Sequence, residues 1–219
     1  MKPHQEQFLA LVLARRALGF GQFTLKSGRV SPYFFNAGHL HRGEDLLVLG
    51  RCYAQTIIEA SLGVDGLFGP AYKGIPLVAA TAMGLAELGL DLPWSFNRKE
   101  TKNHGEGGDV VGAPLEGRIL VVDDVITAGT AIAESAACIR RHGAELAGVA
   151  VALDRQERIG DAHDAPSAVE EVGRRFGIPV AAIANLDQLL TYLKAHPKAM
   201  EAPPLAALAD YRRRYGVVA

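Results

Sequence analysis

The chain has 219 residues, of which 49% are hydrophobic and 21% charged, and its 23 basic and 24 acidic residues give a net charge of −1. This length fits one large domain with enough apolar material for a sizeable core. The charge balance argues against a nucleic-acid-binding or membrane-surface protein, because either would carry a broad basic excess.

The cysteines and the N-terminus indicate the compartment. Cys52 and Cys138 belong to no CxxC or nucleophile signature and are interpreted as buried free thiols. The first residues lack the layout of a signal peptide, and no apolar run reaches transmembrane length. We therefore expect a cytoplasmic protein with no nucleic-acid or membrane partner.

The N-terminal part predicts a helix followed by a hairpin. Apolar residues at helical spacing predict a helix over residues 5–18, which Gly19 to Gly21 would end. Two short apolar segments, 23–25 and 30–36, flank a Ser-Gly turn and predict a β-hairpin, and Pro32 would place its second strand at an edge. A helix over 44–60 follows.

From about residue 62 onward, short apolar strands alternate with helices. Strands are predicted over 66–69, 92–96, 118–122, 146–153 and 180–184. Helices are predicted over 75–88, 131–142, 169–176, 187–194 and 205–214, and a polar loop over 98–112. Strands that are apolar throughout are typical of a parallel sheet covered on both faces. The predicted fold class is α/β, with a mostly parallel, doubly wound sheet.

Residues 119–131 carry the clearest chemical signal. They form a buried strand that ends in Asp123 and Asp124, then a small-residue loop, then the start of a helix. Ligands of open α/β sheets bind at the carboxyl ends of strands. The loop 127–130, Thr-Ala-Gly-Thr, offers backbone N–H groups, two hydroxyls and a helix N-terminus to a phosphate. The two carboxylates are suited to accept hydrogen bonds from neighbouring sugar hydroxyls, so the segment favours a ribose 5-phosphate site over simple helix capping.

Residues 121–131 resemble the phosphoribosyl pyrophosphate (PRPP) motif of type I phosphoribosyltransferases. The resemblance narrows to the bacterial orotate phosphoribosyltransferase family over further segments, in order along nearly the whole chain: 23–28, 31–36, 69–76, 97–100, 102–107 and 154–158. Residues 159–166 look longer than is expected for bacterial members, and they touch no motif.

The resemblance implies a fold, a reaction and partners. The fold would be the type I phosphoribosyltransferase fold in a single domain of residues 1–219, with about 1–40 contributing to a hood over the base and about 62–190 forming the α/β core. The reaction would transfer ribose 5-phosphate from PRPP to orotate, giving orotidine 5′-phosphate and pyrophosphate in pyrimidine synthesis. Mg²⁺ is expected to arrive mainly through the substrate's oxygens, with no dedicated protein cage. A homodimer is implied, in which the segment 98–112, here called the basic loop, is shared across subunits.

The resemblance also assigns the site residues for PRPP. The catalytic residues would be Lys102, with the main catalytic charge, and His104, Asp123 and Asp124. PRPP would be bound by Lys26, Tyr72, Lys73, Arg98, Lys99, Lys102, His104, Asp123, Asp124, Val125, Ile126, Thr127, Ala128, Gly129, Thr130 and Ala131. Taken alone, residues 69–74 could equally be a plain strand-helix turn, and 98–112 a solvated loop.

Orotate would be bound by Phe34, Phe35, Thr127 and Arg155. A guanidinium at a strand's carboxyl end can grip a carboxylate with two parallel hydrogen bonds. Orotate has such a carboxylate and uracil, adenine and guanine lack it, so Arg155 is the expected discriminator of the base. The alternatives are an ion pair of Arg155 with Glu157 or Asp154, and one core and one surface ring for the two phenylalanines.

Two other functions stay open at this point. The first is a phosphoribosyltransferase for another base. The second is a non-catalytic regulator that senses PRPP, but a single helix before the hairpin is too little for a helix-turn-helix unit.

Overall fold

A computed structural model describes residues 1–25, 27–102, 108–160, 162–197 and 204–217, and over 100–102 it describes the backbone alone. The centre is a six-stranded sheet whose order is β5-β4-β3-β6-β7-β8. Its strands are β3 (Gly66–Gly69), β4 (Trp94–Lys102), β5 (Gly108–Gly112), β6 (Arg118–Asp123), β7 (Glu145–Asp154) and β8 (Val180–Asn185). Every neighbouring pair is parallel except β4 and β5, so the predicted mostly parallel α/β class is confirmed.

Helices cover both faces of this sheet, because its central strands are apolar on both sides. In β6, Leu120 and Val122 face one core cluster, while Ile119 and Val121 face the other. The helices are α1 (Pro3–Ala14), α2 (Gly43–Glu59), α3 (Gly74–Glu87), α4 (Thr130–Arg141), α5 (Ala168–Phe176), α6 (Leu186–Ala195) and α7 (Leu205–Tyr215). No helix in the described part of the chain combines the length and the apolar character needed to cross a membrane.

The N-terminal hairpin forms a separate two-stranded antiparallel sheet of β1 (Leu18–Thr24) and β2 (Val30–Phe35). Both strands are therefore edges, as the proline in β2 indicated. The predicted first helix was too long: it ends at Ala14, and Gly19 to Gly21 lie in β1 rather than in a helix stop. The reason is tertiary pairing, since Leu18, Gly19 and Phe20 pair with β2.

The predicted polar loop over 98–112 was also wrong. β4 continues to Lys102 and β5 covers Gly108–Gly112, and the two pair antiparallel at the edge of the sheet. The described residues at 97–99 and 108–112 are exposed or half-buried, so backbone hydrogen bonds rather than apolar burial hold this edge pair, and the sequence carries no apolar strand pattern there. Segment 159–166 is closed at its base, where the Ile159 backbone N–H donates to the Pro166 carbonyl at 2.9 Å.

Candidate active site

The crevice of the sheet lies where the strand order reverses. The chain moves outward from β3 to β4 and β5 on one side, and from β6 to β7 and β8 on the other. β3 and β6 are neighbours, so the segments that follow them diverge and leave a crevice at their carboxyl ends. The Lys73 Nζ after β3 donates to the Asp124 Oδ2 after β6 at 2.8 Å, which places both predicted segments in one site.

The two aspartates are held firmly and are largely buried. Asp123 is 8% exposed and Asp124 is 5% exposed. The Tyr53 hydroxyl of α2 donates to the Asp123 carbonyl at 2.7 Å, and the Asp124 backbone N–H donates to the Asp123 Oδ1 at 2.8 Å. Backbone N–H groups of Ala152 and Leu153 in β7 donate to the Asp124 carbonyl. Burial, and then the neighbouring Asp124 charge, raise the pKa of Asp123 to about 7.

The loop after the aspartates presents backbone to the crevice. Ile126 is buried in the core, so its side chain is not available to a ligand, while Thr127, Ala128 and Thr130 are exposed. Gly129 adopts φ +70°, a left-handed conformation that turns the chain into α4. No described side chain caps this helix. Its first N–H groups and its dipole therefore remain available for a phosphate.

The turn after β3 is packed against the start of α3. A side chain at Gly74 would stand 2.6 Å from the Pro70 Cδ, so only glycine fits there. The Ala71–Tyr72 peptide bond is cis, and the Ala71 N–H donates to the Asn97 Oδ1 at 2.8 Å. This hydrogen bond connects the turn to β4, the strand that carries the basic residues.

Part of the basic segment reaches the same turn. The Lys99 Nζ lies 4.9 Å from the centre of the Tyr72 ring, and Tyr72 is exposed. Arg98 is half-buried in the same strand. Lys102 ends β4, and the structure describes its backbone but not its side chain. Lys26 and His104 lie outside the described residues.

Arg155 follows β7 at the same edge of the sheet and is 8% exposed. Its Nε donates to the Glu157 Oε1 at 2.8 Å, and its Nη2 reaches the Ser31 Oγ of β2 at 3.2 Å. Its Cζ also lies 4.8 Å from the centre of the Tyr33 ring. The ion pair with Glu157 that the sequence left open is thus present, and β2 lies beside the carboxyl end of β7.

The two phenylalanines point to opposite sides of β2. Phe35 is 3% exposed and packs against Phe8, with ring centres 6.2 Å apart. Phe34 is 41% exposed, and the centre of its ring lies 5.6 Å from that of Phe23. Only the Phe34 ring is accessible to a flat ligand in this arrangement.

Three polar residues that position the site were not among the predicted site residues. Tyr53 fixes the end of β6, Asn97 fixes the turn after β3, and Glu157 orients the Arg155 guanidinium. Asn97 opens the motif 97–100 and could have been named from it. Tyr53 lies within an amphipathic helix and carries no local signal.

The chain is similar to known proteins over nearly its whole length. A family model described as the phosphoribosyl transferase domain matches residues 36–181. The orotate phosphoribosyltransferase of Thioalkalivibrio sulfidiphilus is 58% identical over 218 residues, which is 99% of this chain and 100% of that protein. That of Marinobacter nauticus is 55% identical over 217 residues with the same coverage. The crystal structure of the Francisella tularensis orotate phosphoribosyltransferase has 42% identity and a TM-score of 0.82, covering 95% of this chain and 98% of that one.

Proposed function

Because the chain belongs to the orotate phosphoribosyltransferase family, we propose that the crevice between β3 and β6 is where it performs that family's reaction. The enzyme transfers ribose 5-phosphate from PRPP to orotate, and the products are orotidine 5′-phosphate and pyrophosphate. The ion pair of Lys73 with Asp124 is the main support for putting the reaction in this crevice. It joins the turn after β3 to the loop after β6, the two segments proposed to bind phosphate groups.

In the proposal, the aspartates bind the ribose. Asp123 and Asp124 accept hydrogen bonds from its two adjacent hydroxyls, and the loop 125–130 binds the 5-phosphate through backbone N–H groups and the α4 N-terminus. Breaking the bond at the anomeric carbon develops positive charge on the sugar. Buried carboxylates beneath the sugar stabilise that charge strongly, because water does not screen them.

Cationic side chains are proposed to stabilise the departing pyrophosphate. Lys73, Arg98 and Lys99 lie on the two segments that flank the crevice, and Lys102 and His104 follow on the chain. Lys73 now pairs with Asp124, so PRPP would compete for its ammonium group.

The residues present fit a magnesium ion that is shared with the substrate. Asp123 and Asp124 are the carboxylates described at the crevice, and one Asp124 oxygen already accepts from Lys73. Such a donor set suits an ion that takes most of its ligands from phosphate and water. When bound, Mg²⁺ would neutralise charge on the diphosphate.

We further propose that Arg155 reads the carboxylate of orotate, with Thr127, Phe34 and Phe35 completing the base site. Glu157, Ser31 and the Tyr33 ring hold the guanidinium in place, so little side-chain entropy would be lost on binding. Phe34 can cover the ring, whereas the buried Phe35 can offer its backbone only.

We also propose how the chain is organised and how it assembles. Residues 1–219 are proposed to form one domain, with about 1–40 in the hood and about 62–190 in the core, and two such chains to form a homodimer that shares the basic loop. The contact of β2 with Arg155 supports the hood. The two buried, unpaired thiols suit a reducing cytoplasm.

The placement is tested by calorimetric titration of PRPP with Mg²⁺ into Asp124→Asn. We expect this variant to bind PRPP at least about tenfold more weakly than the parent does, because a lost charged hydrogen bond costs about 1.5–3 kcal/mol. The control is Asp91→Asn, an exposed carboxylate just before β4 at the opposite edge of the sheet. Equal affinity of both variants would place the ribose elsewhere.

A further inference from the structure

Three side chains with metal-binding atoms meet outside the crevice. Asp109 lies in β5, and Cys138 and His142 lie four residues apart on α4 and its C-cap, on the same face of the helix. Their ligand atoms all lie within 4.8 Å of one another. The proposed transfer reaction uses none of the three.

Two of the distances are close to those between neighbouring ligands of a tetrahedral zinc ion. The His142 Nε2 lies 3.2 Å from the Asp109 Oδ1, and the Cys138 Sγ lies 3.9 Å from the Asp109 Oδ2. Around Zn²⁺, nitrogen and oxygen ligands stand about 3.4 Å apart and sulfur and oxygen about 3.6 Å apart, from ordinary bond lengths and tetrahedral angles. The two distances end on different oxygens of Asp109 and the ligand atoms lie up to 4.8 Å apart, so closing around one ion requires side-chain shifts on the order of an ångström.

The orientation of His142 points to a cation between the ring and Asp109. The Cys138 carbonyl lies 2.9 Å from the His142 Nδ1 and can only accept, so Nδ1 carries a proton. In a neutral ring, Nε2 then presents a lone pair to the Asp109 carboxylate. Two lone pairs at 3.2 Å repel each other unless a proton or a metal ion lies between them.

The surroundings favour a metal. Arg141 donates to the Asp109 Oδ2 at 2.6 Å, which orients the carboxylate and leaves Oδ1 free to face the ring. Ligand-orienting contacts of this kind, like that of Nδ1 with the carbonyl, are the usual outer shell of protein metal sites. The Cys138 thiol adds a soft ligand that is 5% exposed.

We infer that Asp109, Cys138 and His142 form a Zn²⁺ site, with a water molecule as the fourth ligand. Thiolate, imidazole and carboxylate together are a zinc ligand set, whereas Mg²⁺ avoids thiolate. On binding, the Cys138 S–H bond breaks, its proton passes to solvent and the Zn–S bond forms, with no change of oxidation state. The ion would link β5, which pairs with β4 at Lys102, to α4, which begins at the proposed phosphate loop.

The test uses Co²⁺ as a spectroscopic substitute, with the full chain and without PRPP or Mg²⁺. We expect one Co²⁺ per chain with a thiolate-to-cobalt charge-transfer band, which Zn²⁺ then removes, and release of the thiol proton to an indicator dye. His142→Gln and Cys138→Ser should each weaken binding by at least the about 10–100-fold that even an outer-shell change costs.

His196→Gln is the matched control. His196 makes the same contact with a carbonyl four residues back, at 3.0 Å, and has no cysteine or carboxylate partner among the described residues. It should bind Co²⁺ as the parent does. His142 is exposed, so its variant should keep the parent's circular dichroism and thermal unfolding, and it decides the test if Cys138→Ser does not fold. A spectrum without the charge-transfer band, or equal affinity in His142→Gln and the parent, would overturn the zinc site.

Discussion

Asp123 lies at the end of β6, 8% exposed, beside the charge of Asp124. Its pKa of about 7 in the folded protein lies above the 3.8 of an ordinary aspartate. Between these pH values the folded protein binds more protons than the unfolded chain. The free energy of unfolding therefore falls as pH rises from about 4 to about 7, by about 1.4 kcal/mol for each unit of pKa difference.

Asp123→Asn should separate stability from binding. Asparagine can still accept from the Asp124 N–H but carries no charge, so the variant should be more stable than the parent above pH 7, by an amount on the order of a few kcal/mol. Below pH 4 the two should unfold alike. Urea unfolding at pH 4 and pH 8 measures this, together with PRPP titration, which should be weaker in the variant. If the variant were no more stable than the parent at pH 8, burial of the charged Asp123 carboxylate would not be destabilising the folded protein.

Arg155→Lys should raise the KM for orotate and leave PRPP affinity close to the parent's. Lysine keeps the charge but cannot form two parallel hydrogen bonds with a carboxylate, and a charged hydrogen bond contributes about 1.5–3 kcal/mol. Steady-state kinetics with each substrate varied in turn gives the split. The exposed Arg118→Lys at the start of β6 is the control. An equal loss of affinity for both substrates would mean that Arg155 has a structural role.

At the scale of elements, the close crossing of α2 and α3 supports the crevice, because α2 carries Tyr53 and α3 begins after Lys73. The helices approach so closely that a side chain at Gly84 would stand 2.5 Å from the Gly50 carbonyl oxygen. Backbone at this distance cannot yield without separating the helices.

Gly84→Ala should therefore destabilise the protein by about 1–3 kcal/mol, the usual cost of overpacking. Gly43→Ala, at the start of α2 with nothing within 4 Å, should change the free energy of unfolding by less than about 0.5 kcal/mol. Chemical denaturation of both variants makes the comparison. Similar stabilities would contradict the close crossing.

Elements that are recorded in a local apolar pattern were predicted from the sequence, and elements that depend on pairing with a distant segment were not. The strands of the core, such as 66–69 and 118–122, are buried on both faces, so their apolar runs were recognised. β5 and the extension of β4 gain their order from edge pairing, and β1 gains its order from β2, which local sequence does not record. The motifs 121–131 and 69–76 predicted Asp123, Asp124 and Lys73, and Lys73 does contact Asp124, whereas the contact of Tyr53 arises only from packing of distant elements.

At the scale of the whole molecule, the proposed dimer shares its basic loop. Lys102→Ala alone should lower turnover by about 10²–10³, as for loss of an electrostatic contact in the transition state. The exposed Lys194→Ala on α6 should keep the parent's turnover.

Mixing Lys102→Ala with Asp124→Asn should restore activity if the loop acts on the partner's site. A heterodimer then holds one site with both defects and one with none, so random exchange of subunits should recover about a quarter of the parent's sites. The readout is turnover after mixing, compared with each variant alone. Activity no greater than that of the separate variants would mean that each chain supplies its own loop.

The proposed reaction is tested by turnover of the purified parent with PRPP and Mg²⁺, with orotate or uracil as the base, and the readout is loss of the base's absorbance. We expect conversion of orotate to orotidine 5′-phosphate that stops without Mg²⁺, no conversion of uracil, and loss of orotate conversion in Asp124→Asn. Conversion of uracil as fast as orotate, or an Asp124→Asn variant as active as the parent, would contradict it.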